Sequence, residues 1–519
     1  DEFSYLLAAD TFASGRLVNP PHPMWTHFES MHILQHPVYV SMYHVGQGLV
    51  LAAGKVVAGS PWAGVLASVA LMCALVCWML QGWLPPAWAL LGGLLAVVRL
   101  GLFGYWINSY WGGAVAAIGG LLVLGALPRL HRQTRVRDAF LMAAGMAILA
   151  NSRPYEGFVL SLAVCGMLAV WIFRKRGRAR SLAFARVALP AVLVLSVAGC
   201  GMGYYYWRVT GSPFRMPYQL DRDQYAPARI FLWERPIAAP VYRSAQMREF
   251  YAGWELGKFE EAKTPAGLLK NTTGKGVAFW MFFLGPVFTL PLLFLPWMWN
   301  DRRIRPLLLI AAVFLVALGL NTWFYPHYAA PITGLIYAVV LQGMRHLRVW
   351  RRRGGAGVLL ARSVPVICVA MVLVRLAAQP LGSWMPPDWP MTWYSTSPGN
   401  VARARILRRL QHQPGLQIAI VRYGPNHNFF EEWVYNEASV DAAKVVWARE
   451  LQPASNAELI RYFHGRRVWL VQPDAVPPFV SPYPPPAVPP NLVSALTPAG
   501  RSAAPAGPPR TLPGPAPAP

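Results

Sequence analysis

Apolar runs long enough to cross a bilayer recur along this chain, separated by short polar breaks. A membrane helix needs about 20 mostly apolar residues. Such runs fall at 62–82, 87–105, 111–128, 137–152, 155–173, 187–207, 276–297, 307–322, 329–346 and 356–378. The pattern predicts about ten spans, a few below full length. The stretch 46–59 (GQGLVLAAGKVVAG) is apolar but too short to span and holds Lys55, so it reads as an interfacial or re-entrant helix. Segment 208–275 mixes Pro, Tyr, Trp and charged residues (FRMPYQLDRDQY, FLWERPIAAPVYRS), as expected of a structured loop between spans.

From Ala402 the period changes. An amphipathic run ARARILRRL is followed by LQIAIVRYG, AAKVVWARE, the helix-like NAELIRYFHG and VWLVQPD, and short strands alternating with helical runs predict a small α/β domain. After Ala475 Pro and Ala dominate (PPPAVPP, PAGPPRTLPGPAPAP), a composition that cannot bury a core. The expected organisation is a first outer loop over 1–60, a helical membrane bundle over 61–380 including loop 208–275, the α/β domain over 381–474, and a disordered tail over 475–519. The chain starts at Asp1, without Met, so an upstream piece holding a signal peptide or a first membrane helix is expected.

Composition agrees with a bilayer environment: 55% of residues are hydrophobic and 13% charged, against roughly 25% charged in soluble domains. The net charge of +25 would suit nucleic acid or an anionic membrane surface, but its placement decides otherwise. Basic clusters stand at Arg129, Arg132, Arg135 and Arg137, at 174–180, at 302–305 and at 345–353, each between apolar runs. This is the loop bias of the positive-inside rule, and no nucleic-acid partner is expected. With those clusters in the cytoplasm every span alternates without a skip. The opposite face then gathers 1–60, the turns 108–113 and 151–157, loop 208–275, the turn 323–328 and everything after about 380. All five cysteines lie in apolar runs, which argues against a disulfide framework or a CxxC metal site.

The candidate chemistry lies on that outer face. Asp1 and Glu2 head a helix-like segment, DEFSYLLAADTFASGRL, where acids either complement a helix dipole or hold a carboxylate at a membrane-proximal cleft. DEFSYLLAAD, then HPMWTHFES, then PVYVSMYHVGQGLVLAAG resemble the first outer loop of GT-C glycosyltransferases, in the protein O-mannosyltransferase and aminoarabinose transferase-like group (family 39 type). The resemblance covers the arrangement of roughly the first 380 residues. It implies an all-α polytopic membrane protein, a GT-C-like bundle with a further span upstream, joined to the small C-terminal α/β domain. It also implies that Asp1 is the catalytic acid and Glu2 its neighbour. Related sequences often read Tyr-Pro-Pro-Gly-Gln where this one has Tyr43-His44-Val45-Gly46-Gln47.

The chemistry so implied transfers a sugar from a polyprenyl-phosphate donor to an extracytoplasmic acceptor. A carboxylate serves as general base. A lipid phosphate already leaves well, so the paired acids of glycosidases are not required. Direct displacement would invert the anomeric centre, and cations on the same face should hold the phosphate. Arg153, in the polar turn Asn151-Ser152-Arg153-Pro154-Tyr155-Glu156-Gly157, is the first candidate; snorkelling or pairing with Glu156 explains it equally well. His327, between Tyr325 and Tyr328, is the second, while an aromatic belt accounts for the tyrosines themselves. Arg99, inside an apolar run, and Lys55, which also suits a headgroup anchor, complete the phosphate-binding candidates.

Asn108, Tyr110 and Trp111 could meet a sugar or form an aromatic belt, and Tyr325, Tyr328 and Glu156 join them as substrate-binding candidates. Glu29, His22, His27, His32 and His36 cluster in sequence but match no ligand pattern, so no metal site is assigned and no cofactor is required, although a divalent metal stays open. The sequon Asn271-Thr272-Thr273 receives no role. Two other classes compete. A secondary transporter should show midplane ionisable residues and a repeat, and a non-catalytic scaffold binding a partner through its outer domain should leave Asp1 without a cationic neighbour. The expected surroundings are membrane lipids, a polyprenyl-linked sugar and an unknown acceptor, in a bacterial inner (plasma) membrane with the site on its periplasmic side.

Overall fold

The computed structural model describes residues 1–350, 355–378 and 400–483, which fall into two compact units. The first holds Asp1–Asn400 together with Asn428–Ala443, and the second holds Val401–His427 and the chain from Lys444. Residues 351–353 of the last basic cluster, the expected domain boundary near 380 and residues 484–519 of the tail lie outside the described residues.

Helix α1 (Glu2–Ala13) has Asp1 at its N-cap, and after a loop the short strands β1 (Ile33–Leu34) and β2 (Val40–Ser41) pair antiparallel. Helix α2 (Val45–Ala58) is the predicted short apolar helix, and it packs on α3 (Pro61–Leu80) through glycines. A Cβ on Gly54 would stand 2.2 Å from the Gly64 nitrogen, and one on Gly64 2.3 Å from the Val50 oxygen, so only glycine allows the backbones to meet there. Proline at the first turn recurs at helix starts, where its missing N–H costs nothing. Ser60 caps α3 ahead of Pro61 in the same way that Thr264 caps the helix at Pro265.

The bundle continues through α4 (Pro86–Leu100), α5 (Gly113–Arg132), α6 (Val136–Ala150), α7 (Pro154–Arg174) and α8 (Gly177–Thr210). Beyond the polar segment lie α9 (Pro217–Tyr225) and α10 (245–263), then α11 (Pro265–Leu292), α12 (Arg305–Leu320), α13 (Thr333–Val349) and α14 (Ala356–Ala378). Among the described residues six helices are long and apolar enough to cross a membrane: α3, α5, α7, α8, α11 and α14. The other four predicted runs form the shorter helices α4, α6, α12 and α13. Helix α5 is the axis of the core, with nearly every residue covered by neighbours, whereas α8 and α14 turn most of their apolar surface outward. Outward apolar surface is stable only against lipid, so the chain is an integral membrane protein.

Contacts sort the connections into two ends. At one, Gly46 N–H donates to the Asn151 carbonyl, Gln47 donates to the Tyr110 carbonyl, and Tyr105 meets His327. At the other, Arg132 donates to the Gly82 carbonyl, Arg129 to that of Trp78, His131 lies against Trp171, and Gln342 donates to Asp301. A 20-residue helix such as α5, about 30 Å long, separates them. The described basic clusters occupy the second end and the unusual polar turns the first, which is the alternation the charge pattern predicts.

Three boundaries move. Loop 208–275 is shorter than expected: α8 runs to Thr210 and α11 begins at Pro265, because a Thr264 cap and a first-turn proline outweigh the polar residues that follow. The sequon therefore lies within α11, where the Asn271 side chain donates to the Thr322 carbonyl. The disordered tail does not start at 475, since β6 (Phe479–Pro482) pairs antiparallel with β5 and its proline stands only at the end, where a missing donor is tolerated. Finally, 428–443 interrupts the α/β region and packs with the first unit. The second unit otherwise follows expectation: α15 (Ala402–Gln411), β3 (Gln417–Val421), β4 (Val445–Arg449), α16 (Pro453–Tyr462) and β5 (Arg467–Gln472) form a sheet of order β4-β3-β5-β6, parallel except for β6.

Candidate active site

The start of α1 and the Tyr43–Gln47 segment build one wall. The Asp1 side chain is 29% exposed, and its Oδ1 accepts from the Tyr43 hydroxyl and stands 2.9 Å from His32 Nδ1. Tyr43 stacks on Tyr5 with centroids 4.4 Å apart. Glu2 points the other way and accepts from the Tyr110 N–H at 2.9 Å. Three residues of the Tyr43–Gln47 segment join neighbouring parts of the wall. Tyr43 holds Asp1, Gly46 touches the Asn151 turn, and Gln47 ties the Tyr110 turn. A Cβ on Gly46 would stand 2.6 Å from the Asn151 oxygen, so a side chain there would push the turn away.

The turns at 104–112, 151–156 and 321–328 lie at the same end of the bundle. Arg153, at the N-cap of α7, lies over the Tyr328 ring at 4.3 Å, and among the described residues no carboxylate comes within ion-pair distance of it. A pairing with Glu156 is therefore not formed, although Glu156 is buried one turn into the helix. Burial disfavours the Arg153 charge, but the surrounding Tyr5 and Tyr328 hydroxyls and Glu156 outweigh it and raise its pKa. The Tyr43 phenol lies within the field of Arg153 and is pushed up by burial, so it stays protonated and donates to Asp1.

His327 is buried beside them. The Tyr105 hydroxyl accepts from the His327 backbone N–H at 2.8 Å and shares a second 2.8 Å hydrogen bond with Nδ1, whose direction follows the tautomer of the ring. Burial, then Arg153, holds the imidazole well below its ordinary pKa. When the neutral ring accepts at Nδ1, its proton stands on Nε2, a donor suited to a phosphate oxygen or a sugar hydroxyl. Around it Trp111 stands 5.3 Å and Tyr325 5.7 Å away, the latter parallel. These rings give the site an apolar, donor-lined side.

Other candidates lie elsewhere. Arg99 is 1% exposed in the bundle core, stacked on Phe288 and donating to the carbonyls of Phe283 and Leu284. Those carbonyls sit where α11 is broken at Gly285, whose φ is 57°, so the guanidinium completes a kinked helix. Lys55 pairs with Asp10, which also accepts from Tyr435, and this clamps α2 to α1. Asn108 is exposed and donates to the Gly104 carbonyl of its own loop.

The first-loop acids and imidazoles disperse: His22 meets Asp441, Glu29 meets Arg243, and His36 packs edge-on to Trp25. Among the described residues no group of three His, Cys, Asp or Glu side chains could hold a metal ion. A second acidic locus, absent from the candidates drawn from sequence, lies in α9 and α10. Arg222 and Glu255 form a buried ion pair, and Asp221 beside them is fully buried, its carboxyl pushed up to about 6 by burial. The signal was the run Leu220-Asp221-Arg222 in a short amphipathic helix, unreadable without knowing which face is covered.

The fold and site define a polytopic helical membrane protein with a carboxylate, an arginine lacking a carboxylate partner and a neutral histidine at one end of its bundle. Neither a protein-family model nor a curated protein matches the sequence. Among solved structures, the oligosaccharyltransferase AglB from Archaeoglobus fulgidus, in complex with an inhibitory peptide and a dolichol-phosphate, aligns at 10% identity and a TM-score of 0.48. That alignment covers 91% of this chain and 65% of AglB, so the chain spans just under two thirds of its length. ArnT from Cupriavidus metallidurans in the apo state aligns at 12% identity and a TM-score of 0.47, over 91% of this chain and 88% of its own. Both neighbours are GT-C glycosyltransferases, the class the first-loop motifs resemble. At these identities and TM-scores, function has to be argued from the chain's own residues.

Proposed function

We propose that the chain is a membrane glycosyltransferase that moves a sugar from a polyprenyl-phosphate donor to an extracytoplasmic acceptor with inversion. The observation that carries this reading is that Asp1, Arg153 and His327 share one end of the bundle, with Tyr43 on Asp1 and Tyr328 against both Arg153 and His327. Asp1 takes the acceptor hydroxyl proton as the new C1–O bond forms. The C1–O bond to phosphate breaks, and its electron pair leaves on the phosphate oxygen. Arg153, with no carboxylate of its own, receives that charge, and the Nε2–H of His327 donates to the same group or to the sugar.

Trp111, Tyr325 and Tyr328 supply the faces against which a pyranose or the first isoprene units pack. The polar groups of this site crowd one end of the bundle, which favours the enzyme over a transporter, and the cation beside Asp1 favours it over a scaffold. By the positive-inside rule that end faces away from the cytoplasm, in a bacterial inner membrane. The choice between a hexose and a pentose is read directly from the transfer assay.

Transfer from a panel of radiolabelled polyprenyl-phosphate sugars, by membranes carrying the full-length protein, tests the reading. The wild type should transfer one sugar, and Asp1→Asn should lower the rate by about 10²- to 10⁴-fold, the contribution of a general base. Undiminished transfer by Asp1→Asn would remove Asp1 as base.

A further inference from the structure

Helices α7 and α8 meet in a tight turn at Lys175-Arg176, closed by Gly177 with a φ of 50°. Between the two helices, at this basic end of the bundle, runs an apolar groove of about 570 Å³. Ile172 and Phe173 line it from α7, and Phe184, Ala185 and Ala188 from α8, with Arg180 on the side of the turn. Phe184–Ala188 is a π turn, wider than an α turn, and three of its residues line the groove. From Gly177 to Ala188 the helix rises roughly 17 Å, about one leaflet of a hydrocarbon core about 30 Å thick. Protein does not cover this surface, since Phe173 is 74% and Phe184 61% exposed.

The turn beside the groove is strongly cationic. Arg174, Arg176, Arg178 and Arg180 are exposed, and among the described residues none of them pairs with a carboxylate or donates to a carbonyl. No acid stands in the sequence between Glu156 and Asp221. The neighbouring basic loop differs, because Arg129 and Arg132 donate to the carbonyls of Trp78 and Gly82. The positive-inside rule accounts for the number of these cations. It does not account for an apolar groove one leaflet deep beginning among them.

We propose that the α7–α8 groove binds one anionic phospholipid of the cytoplasmic leaflet. An acyl chain lies between Phe173 and Phe184, and the headgroup phosphate meets Arg180 and the cations within six residues of it. A zwitterionic lipid would fill the groove as well, so the net charge of the turn makes the selection. The site stands at the opposite end of the bundle from Asp1 and is independent of the sugar chemistry.

The full-length protein, reconstituted in phosphatidylcholine nanodiscs with rising fractions of phosphatidylglycerol, tests this when bound lipids are counted by native mass spectrometry. The wild type should retain one phosphatidylglycerol in preference to phosphatidylcholine. Arg178→Gln with Arg180→Gln should weaken that retention roughly 30-fold, two cations acting near a membrane surface. Ala185→Trp, at an exposed position, fills the groove with every charge kept and should weaken it similarly. Arg302→Gln with Arg303→Gln, in another basic loop, should leave it unchanged. Wild-type retention in Ala185→Trp, or equal loss in the Arg302 and Arg303 variant, reduces the cations to a diffuse charged surface and overturns the proposal. Displacement of the lipid by excess inorganic phosphate overturns it too, because the acyl chain would then contribute nothing.

Discussion

Arg153 is the residue at which charge and geometry can be told apart. Lysine would keep the charge but lose the planar fork and the stacking on Tyr328. Arg153→Lys should therefore lower kcat/KM for the donor by roughly 10- to 100-fold, the worth of a charge-assisted hydrogen bond, as read from initial rates over a donor series. Asp221 bears on stability instead. Its carboxyl is raised from 3.8 to about 6 by burial, so the folded protein binds its proton more tightly than the unfolded chain does. The protonated acid supports the fold below about pH 4, and that support is lost as pH rises to about 6. Asp221→Asn should raise the melting temperature at pH 7 by more than at pH 4, with about 2 to 3 kcal/mol between the two; an equal shift at both pH values would contradict the burial argument.

At the scale of elements, the short first helices and the turns between spans position the site. Asp1 was legible as the head of a helix from its sequence alone, and Arg153 as a cation in a polar turn. What could not be read is that Gly46 and Gln47 of α2 stitch both neighbouring turns to that helix, because hydrogen bonds across sequence separations of roughly 60 to 100 residues leave no periodic trace. Arg99 shows the reverse. A charge in an apolar run suggests function, yet its contacts are the open carbonyls of the broken helix α11. Arg99→Leu should lower thermal stability by about 1 to 3 kcal/mol per carbonyl left unpaired, while the donor KM of the folded fraction stays unchanged. A raised donor KM at unchanged stability would return Arg99 to the phosphate site.

For the whole molecule, the prediction concerns sidedness. In a cysteine-free background, cysteines at the exposed positions Ser14 and Arg135 should react with an impermeant maleimide from opposite faces of sealed vesicles, Ser14 from the outside of the cell. Labelling of both from one face would undo the topology. The sequence by itself determined the membrane embedding, the places of the helices, which polar turns alternate with the basic ones and the α/β character of the C-terminal region. Those follow from local hydropathy, charge placement and period, which act over one turn or one span. Only the tertiary structure decided which polar residues meet. Burial and long-range packing place Arg153 over Tyr328 with no carboxylate partner among the described residues, bring His327 to Tyr105, twist His32 toward Asp1 and commit Lys55 to Asp10. The energy of a polar group depends on its covering and partners rather than on its place in the chain.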